Sequence, residues 1–308
     1  MTLPNFLIIG AAKSGTSSVF AYLGQHPDVF ISSAKEPNYF ALADQRVRFT
    51  GPGDSIINEA SVTRRDAYEA LFKSARPGMA IGEASTLYLS TPSAAAAIRR
   101  HVPGMRLIAI LRDPAERAYS SYLHMRRDGR EPCETFEQAL AQEETRVRDG
   151  WEHLWHYTRL GFYHQQLERY VGLFPRDQIA VWLYEDLQAD PQRVLREVFT
   201  FLEVDPTFEP DMSVKHKVAG TPRSKALHAV LTRPNPAKSL AKKLLPDPVR
   251  GRLYGALMQR NIVAHRNGLP PDLRLKLQSL FRGDVERLAT LLGRDLSGWL
   301  PATRPAAR

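Results

Sequence analysis

The residues that could do chemistry cluster first at one turn near the start of the chain. Residues 7–23 read LIIGAAKSGTSSVFAYL, in which an apolar run precedes small residues, a lysine and four serine or threonine residues. The apolar run predicts a buried strand, and the apolar spacing after the turn predicts a helix. The free N–H groups of a first helical turn favour a bound anion, and a lysine and hydroxyl donors add to them. The stretch therefore predicts a cradle for a phosphate or sulfate group, formed by Lys13, Ser14, Gly15, Thr16, Ser17 and Ser18.

This cradle differs from a Walker A loop, which needs GxxxxGK[ST] with a lysine directly after the second glycine. Gly10 and Gly15 have the required spacing, but Thr16 follows Gly15 and Lys13 lies two residues before it. A lysine in the middle of the loop suits an anion that need not share a metal with a carboxylate. The alternative is an ordinary strand-to-helix turn with a surface lysine.

Composition sets broad limits on the class of protein. The chain has 308 residues, 43% hydrophobic and 24% charged, with a net charge of +9 that favours anionic partners. One cysteine, Cys133, excludes an internal disulfide. Without a leader pattern or a run of 18 apolar residues, we expect a cytoplasmic protein with no stable membrane insertion.

No RNP, zinc-finger or basic heptad motif occurs, so no nucleic-acid partner is expected. His153 and His156 have metal-ligand spacing, but their segment looks exposed and has no third ligand nearby, so no metal site is expected.

The order of elements positions the candidate residues. Further strands are predicted at residues 29–32, 80–85, 106–112 and 178–184, and helical patterns alternate with them. Among the other segments, residues 134–147 predict a mostly polar surface helix, residues 157–173 an amphipathic helix, and residues 45–64 an exposed loop. This alternation predicts an α/β fold, with a P-loop-like central parallel sheet flanked by helices. Ligands of such sheets lie outside the carboxyl ends of the strands. We therefore expect five candidates to converge at that edge: Lys13, Glu36, Glu83, Arg112 and Ser120.

Two stretches near the carboxyl terminus complete the predicted organisation. Residues 206–222 form a long polar loop whose Lys215 and Lys217, with Arg223, could close over an anion or simply be solvated. Helical patterns at 240–257 and 273–292 predict a helical C-terminal portion. We expect one domain over 1–308, with an α/β core at 5–230 and a helical extension at 231–300.

Two segments resemble known nucleotide-binding signatures. GAAKSGTSS resembles the 5′-phosphosulfate loop of sulfotransferases that use 3′-phosphoadenosine 5′-phosphosulfate, and LRDPAERAYSSY resembles their 3′-phosphate signature. In that signature an arginine ends a strand and a serine follows eight residues later, which implies roles for Arg112 and Ser120. The similarity is greatest to the heparan-sulfate-type branch, with its N- and 3-O-sulfotransferases and bacterial relatives, and covers residues 5–300.

Further segments carry the resemblance to that branch. KEPNYF is similar to its Lys-Glu segment, which implies that Lys35 binds the acceptor and that Glu36 is the general base. GEASTLYL resembles the acceptor-binding strand end, which implies that Glu83 and Tyr88 bind the acceptor. The remaining implied residues are His124, which matches a histidine that assists the acceptor in N-sulfotransferases, and Arg223, in the loop that covers the nucleotide.

The sequence also departs from that branch at two places. Ala84 stands where heparan enzymes usually carry a lysine, which weakens the case for a heparan-like polysaccharide acceptor. The late loop around Arg223 lacks the Lys-Gly-Arg run of the branch.

The resemblance implies in-line transfer of a sulfuryl group from 3′-phosphoadenosine 5′-phosphosulfate to a hydroxyl or amine. The acceptor would be a carbohydrate or small metabolite, the product adenosine 3′,5′-bisphosphate, and no metal would be required. Two alternatives stay open: a P-loop kinase or NTPase, and a non-catalytic module that binds anionic glycans. The sequence leaves open the acceptor, the choice between Glu36 and His124 as base, and the oligomeric state.

Overall fold

The fold is built on five parallel strands in the order β2-β3-β1-β4-β5. The computed structural model describes residues 3–213, 221–222, 262–263 and 268–301. The five strands, all predicted from sequence, are β1 (Phe6–Gly10), β2 (Val29–Ile31), β3 (Ala80–Ala84), β4 (Arg106–Leu111) and β5 (Ile179–Leu183). A separate antiparallel pair joins β6 (Thr221–Pro222) to β7 (Ile262–Val263).

Register and burial explain why β1 and β4 are almost wholly apolar. Leu7 is opposite Glu83 of β3 and Leu107 of β4, so β1 lies in the middle of the sheet. Helices cover both faces, and a strand buried on both faces reads as a continuous apolar run. Leu7 and Leu107 pack in one layer, whereas Ile8 and Ile108 pack in the other.

The helices divide between those two layers. One layer includes side chains of α2, α5, α6, α7, α10 and α13, and the other includes side chains of α1, α11 and α12. Their bounds are α1 Thr16–Leu23, α2 Tyr39–Leu42, α3 Ser55–Ala60, α4 Arg65–Ala70, α5 Leu87–Ser90, α6 Ala94–His101, α7 Pro114–Arg127, α8 Phe136–Ala141, α9 Glu143–Arg148, α10 Tyr163–Val171, α11 Tyr184–Ala189, α12 Pro191–Phe201 and α13 Pro271–Leu292. The long final helix confirms the predicted helical C-terminal portion.

One predicted surface helix, at residues 134–147, is wrong in extent and in burial. The segment forms α8 and α9, with a break at Gln142. Two of its polar residues are buried because each has a partner: Arg146 makes an ion pair with Glu131 at 2.6 Å, and the Glu143 carboxylate accepts the Thr158 N–H at 2.8 Å. Polar patterning alone cannot distinguish a solvated face from a buried ion pair.

Other differences concern the bounds of elements. The expected exposed loop at 45–64 contains α3 and the fully buried Asp54, whose carboxylate accepts the Trp155 indole N–H at 2.9 Å. The expected helix at 157–173 begins only at Tyr163. Lys215, Lys217, Arg223 and the helical pattern at 240–257 lie outside the described residues, so the division at residue 230 stays a prediction. Across the described ranges, no helix is both long and apolar enough to cross a bilayer.

Candidate active site

The turn between β1 and α1 has the backbone conformation that the cradle requires. Lys13 and Gly15 both have left-handed φ values, 69° and 89°. A Cβ at Gly15 would lie 2.9 Å from Leu187 Cδ2 and 3.1 Å from Tyr184 Cδ2, so space as well as φ favours glycine here. Ser18 and Val19 donate their N–H groups to the Gly15 carbonyl at 3.0 and 3.2 Å, whereas the N–H groups of Thr16 and Ser17, the first two residues of α1, have no acceptor within the helix. The turn therefore offers backbone donors next to Lys13.

Ser14 gives a specific sign that this turn fits an anion. Its side chain is fully buried, and its hydroxyl has no hydrogen-bond partner among the described residues. A buried hydroxyl without a partner costs about 1–3 kcal/mol. An oxygen of a bound phosphate or sulfate would accept this hydrogen bond and offset that cost. Thr16 is also buried, whereas Ser17 and Ser18 are half-buried.

Arg112 lies beside the cradle, at the carboxyl end of β4. Its Nη1 is 3.4 Å from the carbonyl oxygen of Lys13, to which it donates. Its guanidinium carbon lies 4.8 Å from the ring centre of Tyr184, which stacks against the cation. Ser120 is half-buried on α7, eight residues after Arg112. The contact with the Lys13 carbonyl therefore places the Arg112 guanidinium next to the predicted cradle.

Glu36 is held at the neighbouring strand end. Its backbone N–H donates to the Ala84 carbonyl at 2.8 Å, and its Oε2 accepts the Thr86 N–H at 2.7 Å. Lys35 Nζ lies 2.9 Å from the other carboxylate oxygen, and the Glu36 side chain is 29% exposed. Because β3 and β1 are adjacent, the carboxylate lies at the same sheet edge as the cradle. Its partial exposure leaves it accessible to an acceptor.

Glu83 and Tyr88, predicted to contact the acceptor, are instead completely buried. The Glu83 carboxylate accepts hydrogen bonds from Tyr88 Oη at 2.6 Å, Ser85 Oγ at 2.8 Å and Tyr68 Oη at 3.2 Å. Ser85 Oγ also accepts the Asn38 N–H at 3.0 Å, two residues after Glu36. This geometry favours Glu83 as a support beneath the Glu36 loop over direct contact with an acceptor.

Burial raises the pKa of Glu83 from 4.5 to about 7, against the hydrogen bonds that favour its ionised form. The folded chain then holds a proton that the unfolded chain has released, so stability falls as pH rises from about 4.5 to 7. Glutamine does not titrate, so the free energy of unfolding of Glu83→Gln should fall by up to about 3 kcal/mol less than that of wild type over this pH range. Urea unfolding at pH 5 and pH 7.5 measures the difference. In Glu144→Gln, an exposed control, the change in unfolding free energy between the two pH values should match that of wild type. The same change in Glu83→Gln as in wild type would show that Glu83 does not titrate in this range.

His124 lies on α7, one turn after Ser120. Its Nδ1 is 2.6 Å from Arg127 Nη2 and 3.6 Å from Asp128 Oδ2. Because the guanidinium can only donate, Nδ1 accepts and the ring proton belongs on Nε2. In this tautomer Nε2 donates a hydrogen bond, and the lone pair of Nδ1 is engaged by Arg127. This favours Glu36 over His124 as the group that takes the proton from the attacking hydroxyl or amine.

The histidines set aside as metal ligands occupy different surroundings from those expected. His153 is buried, not exposed, and its Nδ1 contacts Glu152 Oε2 at 3.0 Å. Within the described residues, no three His, Cys, Asp or Glu side chains are grouped to hold a metal ion. Arg223 lies outside those residues.

Sequence reasoning missed three residues of this edge. The apolar pattern places Tyr184 only at the end of a predicted strand, although residues at the carboxyl ends of these strands are expected to lie near the site. Thr86 binds Glu36 through its backbone N–H, which side-chain type does not predict. Glu116 lies four residues from both Arg112 and Ser120, and that helical spacing is the signal that could have identified it.

Comparison with known proteins agrees with this geometry. A family model described as "Sulfotransferase family" matches residues 4–210. A crystal structure of a sulfotransferase from Alicyclobacillus acidocaldarius is 36% identical, covers 97% of this chain and 99% of its own, and has a TM-score of 0.76. The Drosophila melanogaster bifunctional heparan sulfate N-deacetylase/N-sulfotransferase is 24% identical over 273 residues, which are 84% of this chain and 24% of that protein. The human bifunctional heparan sulfate N-deacetylase/N-sulfotransferase 3 is 26% identical over 314 residues, with 97% and 31% covered.

The chain spans only about a quarter to a third of these two bifunctional relatives. The family match nevertheless covers well over half of the chain, and the bacterial structure matches nearly all of it. The chain belongs to the sulfotransferase family and is an enzyme of that class.

Proposed function

We propose that this enzyme transfers a sulfuryl group from 3′-phosphoadenosine 5′-phosphosulfate to a hydroxyl or amine of a carbohydrate or small metabolite. The observation that carries the proposal is the contact between Arg112 and the Lys13 carbonyl. It joins the predicted anion cradle after β1 to the arginine after β4, so that cations for the two anionic arms of one nucleotide lie side by side.

The two groups would hold different parts of the donor. Lys13, the buried Ser14 hydroxyl and the first N–H groups of α1 would bind the 5′-phosphosulfate end. Arg112 and Ser120 would bind the 3′-phosphate, and a guanidinium can do so with two parallel hydrogen bonds. Recognition of a 3′-phosphate would distinguish this donor from ATP.

The residues of this edge would each carry one part of the reaction. When bound, the donor supplies the sulfuryl group and a nucleotide leaving group. Lys13 and the first α1 amides stabilise negative charge that develops on the leaving oxygen. Glu36, fixed by Thr86 and exposed on its other side, accepts the proton of the attacking hydroxyl or amine. We propose no role for a metal.

The proposed class of sulfuryl acceptor is supported by the residues beside the cradle and by the relatives. Lys35 and Glu36 present one cation and one carboxylate there, which suits a polar acceptor. Two of the relatives are named for heparan sulfate, but Ala84 stands where that branch usually carries a lysine. We therefore propose a carbohydrate or small metabolite without specifying a polysaccharide.

We also propose that residues 1–308 form a single domain. The packing of α13 against α7 and α10 supports this, because the final helix completes the apolar layer on one face of the sheet.

Calorimetry on wild type and Arg112→Ala tests the proposed donor. Adenosine 3′,5′-bisphosphate should bind wild type without Mg²⁺ and at least about tenfold more tightly than adenosine 5′-monophosphate, because Arg112 pairs with the 3′-phosphate. Arg112→Ala should lose most of that preference, and Arg282→Ala, which breaks an exposed pair with Glu286, should keep it. Tighter Mg²⁺-dependent binding of ATP would favour a kinase or NTPase. Binding of sulfated glycan alone, with steep salt dependence, would favour a non-catalytic module.

A further inference from the structure

A carboxylate lies inside the proposed phosphate site. Glu116 is four residues from Arg112 and four from Ser120: Glu116 and Ser120 lie one turn apart on α7, and Arg112 lies two residues before the helix begins. Its Oε2 is 3.4 Å from Arg112 Nη2, and the two side chains are only 27% and 20% exposed. A carboxylate in this position repels an incoming phosphate and competes with it for the guanidinium.

A second arginine, from a distant part of the chain, contacts the same carboxylate. Arg274, in the first turn of α13, pairs with Glu116 Oε1. Its Nη1 also lies 3.6 Å from Oδ2 of Asp113, the buried residue that caps α7 by accepting the Ala115 N–H at 2.8 Å. Arg274 is thus held at the amino end of α7 by two carboxylates.

The charge balance of this group depends on Arg274. Two guanidinium groups, Arg112 and Arg274, balance the two carboxylates of Glu116 and Asp113, so the group as a whole is neutral when both carboxylates are ionised. Without Arg274 the group would carry a net charge of −1, which would repel an anion. Both arginines are half-buried, so this balance is screened less than a surface pair would be.

Building on the proposed function, we propose that Arg274 is a positioning residue for the 3′-phosphate of the nucleotide. It engages one oxygen of Glu116 and so weakens the hold of that carboxylate on Arg112, which leaves the Arg112 guanidinium more available to the phosphate. The final helix of the chain thereby contributes to nucleotide specificity without touching the nucleotide.

The test is a double-mutant cycle on the full chain. Calorimetric Kd values for adenosine 3′,5′-bisphosphate and adenosine 5′-monophosphate give the preference for the 3′-phosphate in each variant. Arg274→Ala should lower this preference about tenfold. Adding Glu116→Gln to Arg274→Ala should restore it, and Glu116→Gln alone should raise it above wild type. Arg282→Ala, on the same helix, should leave it unchanged.

Four results would overturn the proposal. An unchanged preference in Arg274→Ala, even with a lower melting temperature, would mean that Arg274 only docks α13. A lost preference that Glu116→Gln fails to restore would mean that Arg274 acts without Glu116. If Arg274→Ala does not fold, the single variant Glu116→Gln decides: a preference for the 3′-phosphate no higher than that of wild type would count against the proposal. A wild type without preference for the 3′-phosphate would overturn the proposed donor as well.

Discussion

Lys13→Ala is expected to lower kcat by about 10²–10³-fold. The turn that carries Lys13 also brings the buried Ser14 hydroxyl and the first α1 amides to the same place. The ammonium group there would stabilise the negative charge that develops on the leaving oxygen. The affinity for adenosine 3′,5′-bisphosphate should change less than kcat does, because Arg112 and the backbone donors remain. Release of that product from the sulfated donor, with an acceptor chosen from a screen of sugars and amines, measures the effect.

Two further variants sharpen the interpretation of that result. Lys13→Arg keeps the charge but replaces a compact ammonium by a planar fork, so only partial activity should return. Lys276→Ala removes a lysine from a surface pair with Glu137 and should leave kcat unchanged. A Lys13→Ala enzyme with normal kcat and a raised KM would mean that Lys13 binds the ground state and the transition state equally, which contradicts the expected role.

The sheet could be predicted because its strands follow simple rules of burial. β1 and β4 are covered on both faces, so their apolar runs are continuous in the sequence. The alternation of strands with helices then restricts the topology to a parallel sheet with ligands at its carboxyl edge. The order of elements therefore predicts where the candidate site lies without reference to any side-chain contact.

The buried polar residues could not be predicted in the same way. Glu83 reads as a reactive carboxylate at a strand end, yet three hydrogen bonds from hydroxyl groups hold it in the interior. Its donors Tyr68 and Ser85 come from different elements. Local patterning records the residue type and its strand, but not the partners that tertiary packing brings to it.

Long-range charge pairs are the other part that sequence leaves undetermined. The contact between Glu116 and Arg274 joins residues 158 positions apart. The i,i+4 relation of Glu116 to Arg112 is visible in the sequence, but the cation that balances it comes from the final helix. Such pairs decide whether a nearby arginine is available, so residue roles are harder to predict than the place of the site.

Glu36→Gln is expected to lower kcat by about 10²–10⁴-fold, the usual contribution of a positioned general base. A glutamine can still accept the Thr86 N–H that holds this side chain, so the loop should keep its geometry while it loses the proton acceptor. Nucleotide affinity should stay within a few-fold of wild type, since the donor-binding residues are unchanged. Product release at saturating donor, together with calorimetric Kd, separates the two quantities.

The comparison with His124 makes that experiment decisive for the base. Because Nδ1 of His124 accepts from Arg127, His124→Gln should cost less in kcat than Glu36→Gln. Glu144→Gln, at an exposed pair with Arg159, serves as the matched control and should turn over like wild type. Near-normal turnover in Glu36→Gln, combined with a large loss in His124→Gln, would transfer the proton-accepting role to the imidazole and leave Glu36 to orient Lys35.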